Sequence, residues 1–268
     1  QALERLDYVV PVFATEARVA LAEEVSDNWL PDPSWRSVFV SGGSESVDAA
    51  IRVAQLHHVA CGRSERHKVI GRDVSYHGAT LGALSAGLHD RRRKGLEQAL
   101  LSMPKTSHYD AEELEKVIEL EGPDTISAFI GEPVIGAAAG AYVPPDDYWP
   151  RISEICARHD ILVIADEVMT GFGRLGTTMG HEALQFTPDI IAAGKGLGGG
   201  YVPIGGVYCR PDVVAPIAET DLALMFYTFA GHDLCCAVAK KVLEIVRAEN
   251  LIDRAKIMGE VLRERLEQ

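Results

Sequence analysis

The chain has 268 residues, 47% of them hydrophobic, enough for one large core or two modest ones. Its 26 basic and 39 acidic residues leave a net charge of −13, which repels nucleic acid and anionic lipid and argues against both as partners. No apolar run approaches the ~20 residues of a bilayer-spanning helix, so a membrane protein is not expected.

From the amino end, Ala14 to Trp29 is an amphipathic opening closed by the turn Pro31-Asp32-Pro33. Short apolar runs then alternate with helix-period segments, the pattern of an α/β fold with a largely parallel sheet. Strands are expected over Ser37 to Val40, Lys68 to Ile70, Ile126 to Ile130, Ile161 to Ala165, Asp189 to Ala193 and Ile204 to Tyr208. Helices are expected from about Val47 to Ala60, Ala111 to Leu120, Trp149 to His159 and Asp233 to Glu249. The one dense basic run, Arg91-Arg92-Arg93-Lys94, has no aromatic interleaved and reads as a solvated helix end or loop. No basic-then-apolar leader follows Gln1, and the chain reads as a portion of a longer product. Cys61, Cys156, Cys209, Cys235 and Cys236 lack C-x-x-C spacing, and the histidines lack H-E-x-x-H. Reduced thiols, a cytoplasmic location and no metal site are the expectation.

Three features carry chemistry. Ser41-Gly42-Gly43-Ser44-Glu45 sits between a strand and a helix. Glycines let the backbone turn and expose consecutive N–H groups, the helix adds its N-terminal partial charge, and Ser44 adds a hydroxyl donor. That is a phosphate cup, although many strand-to-helix turns hold Gly and Ser for geometry alone. It matches neither G-x-G-x-x-G nor the P-loop.

Asp166-Glu167-Val168 follows the apolar run Ile161 to Ala165. A carboxylate at the end of a buried strand lies where open α/β sheets bind ligands, and it needs a cationic partner there. Strand periodicity puts Asp166 and Val168 on one face and turns Glu167 away. An Asp that merely caps the next element is an equally good reading of this feature by itself. Finally, Lys195 ends the apolar run Asp189 to Ala193 among Gly194, Gly196 and Gly198 to Gly200. A desolvated lysine becomes nucleophilic and flanking glycines admit a ligand, but a surface lysine in a loop fits the same residues.

Together, a phosphate cup, an acid suited to a pyridinium nitrogen and a lysine suited to an aldehyde match the attachment points of pyridoxal 5'-phosphate. In this order the motifs resemble those of class III (omega-type) aminotransferases of the fold-type I superfamily, from Val38 to Leu262. The resemblance implies a fold-type I large domain with a mostly parallel central sheet flanked by helices. It makes 1–245 that domain, its N-terminal part incomplete, and 246–268 the start of an incomplete small domain. It makes Gly43 and Ser44 phosphate ligands and Tyr76, in Ser75-Tyr76-His77-Gly78, the stacking ring with His77 beside it. Glu132 falls near the cofactor, Asp166 on the ring nitrogen and Val168 against the ring. Lys195 forms the aldimine, and Thr228 reaches the phosphate of a neighbouring subunit. Lys195, Asp166 and Tyr76 are the expected catalytic residues.

The implied activity moves an amino group from an amine or omega-amino acid to a keto acid such as pyruvate or 2-oxoglutarate. The cycle is ping-pong, in a homodimer or tetramer with shared active sites. The same core hosts aminomutases, decarboxylases and lyases. A non-catalytic pyridoxal-phosphate-binding protein is a further alternative, disfavoured because Lys195, Asp166 and Tyr76 are all present. The chain departs from the family in its short stretch from Met103 to Glu112, which leaves the joint between Lys105 and Thr106 unsupported. The family's usual carboxylate-binding arginine falls before Gln1 or after Gln268, so substrate identity is not legible.

Overall fold

The computed structural model describes residues 8–222 and 227–267. In chain order its elements are α1 (Glu16–Asn28), β1 (Arg36–Val40), α2 (Gly43–Ala60), β2 (Lys68–Arg72), α3 (Leu81–Ala86), α4 (Asp90–Arg93), β3 (Lys105–Thr106), α5 (Ala111–Glu121) and β4 (Ile126–Gly131). There follow α6 (Tyr148–Arg158), β5 (Leu162–Asp166), α7 (Gly180–Ala183), β6 (Ile190–Ala193), β7 (Gly205–Cys209), α8 (Pro211–Ala218), α9 (Asp233–Ala248) and α10 (Leu251–Leu266).

The strands form one sheet in the order β1-β7-β6-β5-β4-β2-β3. From β6 to β3 all neighbours are parallel, whereas β7 runs antiparallel to both β1 and β6. Two reversals cancel, so β1 points the same way as β6. The carboxyl ends of β1, β2, β4, β5 and β6 therefore share one edge of the sheet, where open α/β folds place their ligands.

Every residue of β4 and β5 is buried, as strands covered on both faces must be. Alternate side chains divide between two helical layers. Val69, Ala128, Ile130, Ile164 and Val207 pack with α2 and α8 on one face. On the other, Ile191 and Tyr208 pack with α1 and α9, while Phe129, Val163 and Ala165 pack with α5 and α6. Asp166 has the parity of Leu162 and Ile164, so it ends β5 on the side of α2.

Three expectations change. Helix α2 starts at Gly43, not near Val47, because Ser46 N–H already bonds the Gly42 carbonyl at 3.0 Å and the Glu45 carboxylate accepts the Ser41 N–H at 2.7 Å. The glycines thus lie in the helix's first turn as well as its approach. Lys105 and Thr106 are a continuous strand, β3, paired with Gly71 and Arg72 of β2. Helix α8 went unread because Pro211 opens it and Pro216 lies inside it; in an eight-residue helix little hydrogen bonding is lost to either. Helix α10 has no buried residue, and Ile257, Met258 and Leu262 are exposed along it. Among the described residues no helix is long and apolar enough to cross a membrane.

Candidate active site

A cavity of about 380 Å³ opens at the carboxyl edge of the sheet. It is lined by Gly43 and Ser44 after β1, Tyr76 and His77 after β2, Glu132 after β4, Asp166 and Val168 at β5, and Lys195 after β6. Arg92, Gly78, Ala137 and Met169 complete the wall. The structure thus brings together every sequence-predicted site residue except Thr228. That residue is exposed, lies outside this lining, and its carbonyl accepts the Tyr8 hydroxyl at 2.9 Å.

The cup is set by close backbone approach. A Cβ on Gly43 would stand 2.8 Å from Val168 Cγ1, and one on Gly194 would stand 3.3 Å from Gly43 Cα. Side chains are excluded here by the packing of α2's start against Val168 and the Lys195 turn. No side chain caps α2 at Gly42, so its first-turn N–H groups are not consumed by a local acceptor. Ser44 Oγ accepts the Ala79 N–H at 3.0 Å, which leaves its own hydrogen to donate. Backbone donors, a helix N-terminus and a free hydroxyl hydrogen form an anion site.

Asp166 and Val168 share a face, as strand periodicity requires, and Glu167 turns the other way. Asp166 Oδ2 lies 2.7 Å from His77 Nδ1, and Oδ1 accepts the Val168 N–H at 3.1 Å. Both side chains are buried, and the other ring nitrogen of His77, Nε2, has no hydrogen-bond partner. Glu167, fully buried, accepts from Thr170 Oγ1 at 2.5 Å, Gly180 N–H at 2.9 Å and His181 N–H at 2.7 Å. His181 Nδ1 adds a contact at 3.0 Å. The carboxylate therefore staples the 170–181 loop beneath β5 and fixes the direction in which its neighbour Asp166 points.

Glu132 plays a similar part for the stacking ring. Its Oε2 accepts the Tyr76 N–H and its Oε1 the Gly136 N–H, each at 3.1 Å. Burial pushes the Glu132 carboxyl above the usual carboxylate range, and Asp166 adds to this, while His77 and Arg72 pull the other way. Lys195 has φ of 32°, an unusual conformation for a side-chain-bearing residue, directly after Gly194. Such strain is stored where surrounding structure over-determines the backbone, and it clusters at functional sites. Among the described residues the Lys195 amine has no hydrogen bond or ion pair, so it is available to a ligand.

Of the four wall residues that the sequence reading did not assign to the site, Arg92 is the charged one. The guanidinium carbon of Arg92 lies 4.3 Å from the centre of the Tyr76 ring, with Nη1 3.4 Å from the Tyr76 hydroxyl. Its aromatic partner is brought near by the fold and not by the basic run itself, so no local pattern signalled the contact. Among the described residues no group of three or more His, Cys, Asp or Glu side chains is placed to hold a metal ion.

These residues suit pyridoxal phosphate. The cradle that a Cβ would fill could take a phosphate, the Asp166 carboxylate lines the cavity where it could receive a ring N–H, the uncommitted Lys195 amine could meet an aldehyde, and Tyr76 and Val168 could hold a flat ring. Fold and site together define the cofactor-binding core of a fold-type I transferase.

Comparison places it more closely. A family model described as aminotransferase class-III matches residues 1–268. A putrescine–pyruvate aminotransferase of Pseudomonas aeruginosa is 35% identical over 255 residues, covering 89% of this chain and 56% of that protein. An uncharacterised aminotransferase of Bacillus subtilis is 34% identical, covering 96% of this chain and 61% of that protein. The crystal structure of an (S)-enantioselective omega-transaminase from Thermomicrobium roseum superimposes with a TM-score of 0.94 at 36% identity, covering 99% of this chain and 64% of that one. The chain belongs to the class III aminotransferases, whose cofactor is pyridoxal phosphate. It spans 61% or less of the curated relatives cited.

Proposed function

We propose that this chain is the catalytic core of an aminotransferase that moves an amino group from an amine or omega-amino acid to a keto acid such as pyruvate or 2-oxoglutarate. The observation that carries the reading is the convergence of Lys195, Asp166, Tyr76 and the Gly43-Ser44 cup on one cavity. The named activities of the putrescine and omega-amine relatives agree with it.

When bound, pyridoxal phosphate supplies an electron sink and carries the amino group between two half-reactions. Gly43 and Ser44 anchor its phosphate, Tyr76 and Val168 hold its ring, and Asp166 keeps a proton on the ring nitrogen. His77 orients the Asp166 carboxylate through Nδ1. Lys195 takes the proton from the amino-bearing carbon of the donor and returns it on the far side of the transfer, which makes it general base and then general acid. The donor takes its oxygen from water and leaves as a carbonyl compound, and in the reverse sequence the keto acid gives up its oxygen as water and leaves as an amine, in a ping-pong cycle.

The reading extends to assembly and domain plan. Residues 1–245 form the large domain and 246–268 begin a second one, which the exposed apolar residues of α10 support. The working form is a cytoplasmic homodimer in which Thr228 of one subunit serves the phosphate site of the other. Mixing Lys195→Ala with a bulky Thr228 replacement in the full-length enzyme tests this. Heterodimers carry one intact site, so reassortment restores roughly a quarter of wild-type activity. No recovery with heterodimers confirmed would reject the shared site. A panel of amine donors and keto-acid acceptors on the full-length enzyme tests the activity itself. Carbon dioxide release or internal amino migration in place of transfer would favour a decarboxylase or mutase.

A further inference from the structure

Arg91, Arg92 and Arg93 look equivalent in sequence, yet the fold gives them different work. Arg93 turns inward, donating from Nη1 to the Gly87 carbonyl at 2.5 Å and the Leu84 carbonyl at 3.3 Å. Arg91 lines two other surface hollows with Leu88 and Asp90. Arg92 alone of the three lines the cavity that contains Lys195 and Asp166.

The way Arg92 is held leaves its binding edge open. Its guanidinium carbon lies over the Tyr76 ring, 4.3 Å from the centroid, a cation–π contact that supplies its N–H donors with no acceptor oxygen. The donors of a guanidinium point outward in its plane, and only Nη1 reaches the Tyr76 hydroxyl, at 3.4 Å. Among the described residues Arg92 has no carboxylate partner, although 39 acidic residues are available in the chain. A positively charged fork, held against the Tyr76 ring and exposed in the wall of a site that also contains Asp166 and Glu132, is complementary to a planar anion.

We infer that Arg92 reads a carboxylate of the substrate in addition to the family's usual carboxylate-binding arginine, so that this site takes amino acids and keto acids in preference to neutral amines and aldehydes of the same shape. The inference rests on the aminotransferase reading and adds its substrate class. Tyr76 then has two tasks, since the ring that stacks on the cofactor also presents the arginine. Arg92→Lys is not a conservative change here, because an ammonium does not bind a carboxylate with two parallel bonds.

The test compares wild type, Arg92→Gln and Arg92→Lys in the cofactor-loaded full-length enzyme. Acceptors are paired: pyruvate with 3-methylbutan-2-one, and 4-oxobutanoate with 4-methylpentanal, an isopropyl group replacing the carboxylate in each pair. Dissociation constants for butanoate and succinate are measured alongside by titrating the cofactor absorbance. In Arg92→Gln, kcat/KM for the better carboxylate acceptor should fall roughly 10- to 100-fold, as loss of a charge-assisted bond predicts. The loss should lie mainly in KM, with the neutral partner changed less than about twofold and carboxylate binding weakened in parallel. Arg92→Lys should recover only part of it. Equal losses for acid and neutral partner, an unchanged carboxylate constant, or a wild type that prefers the neutral compounds would overturn the inference and leave aminotransfer standing. A wild type that transfers to no acceptor would instead overturn the aminotransferase reading, and the binding constants alone would then decide the role of Arg92.

Discussion

His77 Nδ1 and Asp166 Oδ2 are 2.7 Å apart, both side chains almost wholly buried, and this contact couples two loops of the sheet edge. The family resemblance put both residues beside the cofactor, but only the fold shows that His77 meets Asp166. An imidazole N–H that donates to a carboxylate fixes where its other oxygen points. Asp166→Asn should keep the fold and lose about 100-fold or more in turnover, because a neutral amide cannot hold the ring proton. His77→Phe should cost less, about tenfold in kcat, and His77→Asn should restore part of it by supplying a donor in the place of Nδ1. Steady-state kinetics on the cofactor-saturated full-length enzyme measures all three, and a normal kcat in Asp166→Asn would remove the ring-nitrogen role.

Gly43 is required by space. Its Cβ position lies 2.8 Å from Val168 Cγ1, so Gly43→Ala must displace either Val168 or the start of α2. Overpacking of this kind costs about 1–3 kcal/mol. The larger effect should be on the cofactor, whose dissociation constant should rise about tenfold as the cup opens. Val168→Ala in the same chain should relieve part of the stability cost, giving a non-additive double-mutant cycle. Reconstitution of apoenzyme followed by absorbance gives the affinities, and strictly additive effects would argue against the contact.

Glu167 holds the underside of the site with bonds from Thr170, Gly180 and His181. Glu167→Gln should destabilise the protein by about 2–4 kcal/mol, because an amide keeps one acceptor oxygen and brings N–H groups against buried donors. Thermal unfolding measures this; a melting point within about one degree of wild type would show that the staple contributes little.

His58 links stability to pH. It is buried, its Nε2 lies 3.0 Å from the Ser127 carbonyl, and burial pushes it from 6.5 down to about 4. The unfolded chain therefore takes up this proton first. The stability that the neutral ring contributes is complete above pH 6.5 and is lost as pH falls towards 4. His58→Gln should flatten the fall in denaturation midpoint over that window. An unchanged slope would mean that other groups dominate acid unfolding.

Much of this was legible in the chain because periodicity survives folding. Leu162 to Asp166 is apolar up to a terminal acid, and that pattern alone places Asp166 at the end of a covered strand with Val168 on its face. The Gly43-Ser44 cup and Lys195 were visible because each interrupts a regular element with residues chosen for backbone geometry. What escaped was nonlocal. The Arg92–Tyr76 contact, the His77–Asp166 pair and the Glu167–His181 staple join segments whose proximity depends on the whole sheet. The reversal of β7 escaped as well, since apolar composition carries no strand direction.

The central claim is that Lys195 carries the cofactor. The full-length holoenzyme should be yellow, and borohydride treatment followed by peptide mapping should place a single pyridoxyl group on Lys195. Lys105 is the informative competitor, since burial pushes its amine down to about 7 and makes it nucleophilic near neutral pH. Its amine is nonetheless spent on the Ser85 and Met103 carbonyls, each at 2.9 Å, and it does not line the cavity. Label confined to the Lys195 peptide is the predicted result; label on Lys105 or any other lysine, with Lys195 unmodified, would contradict the account.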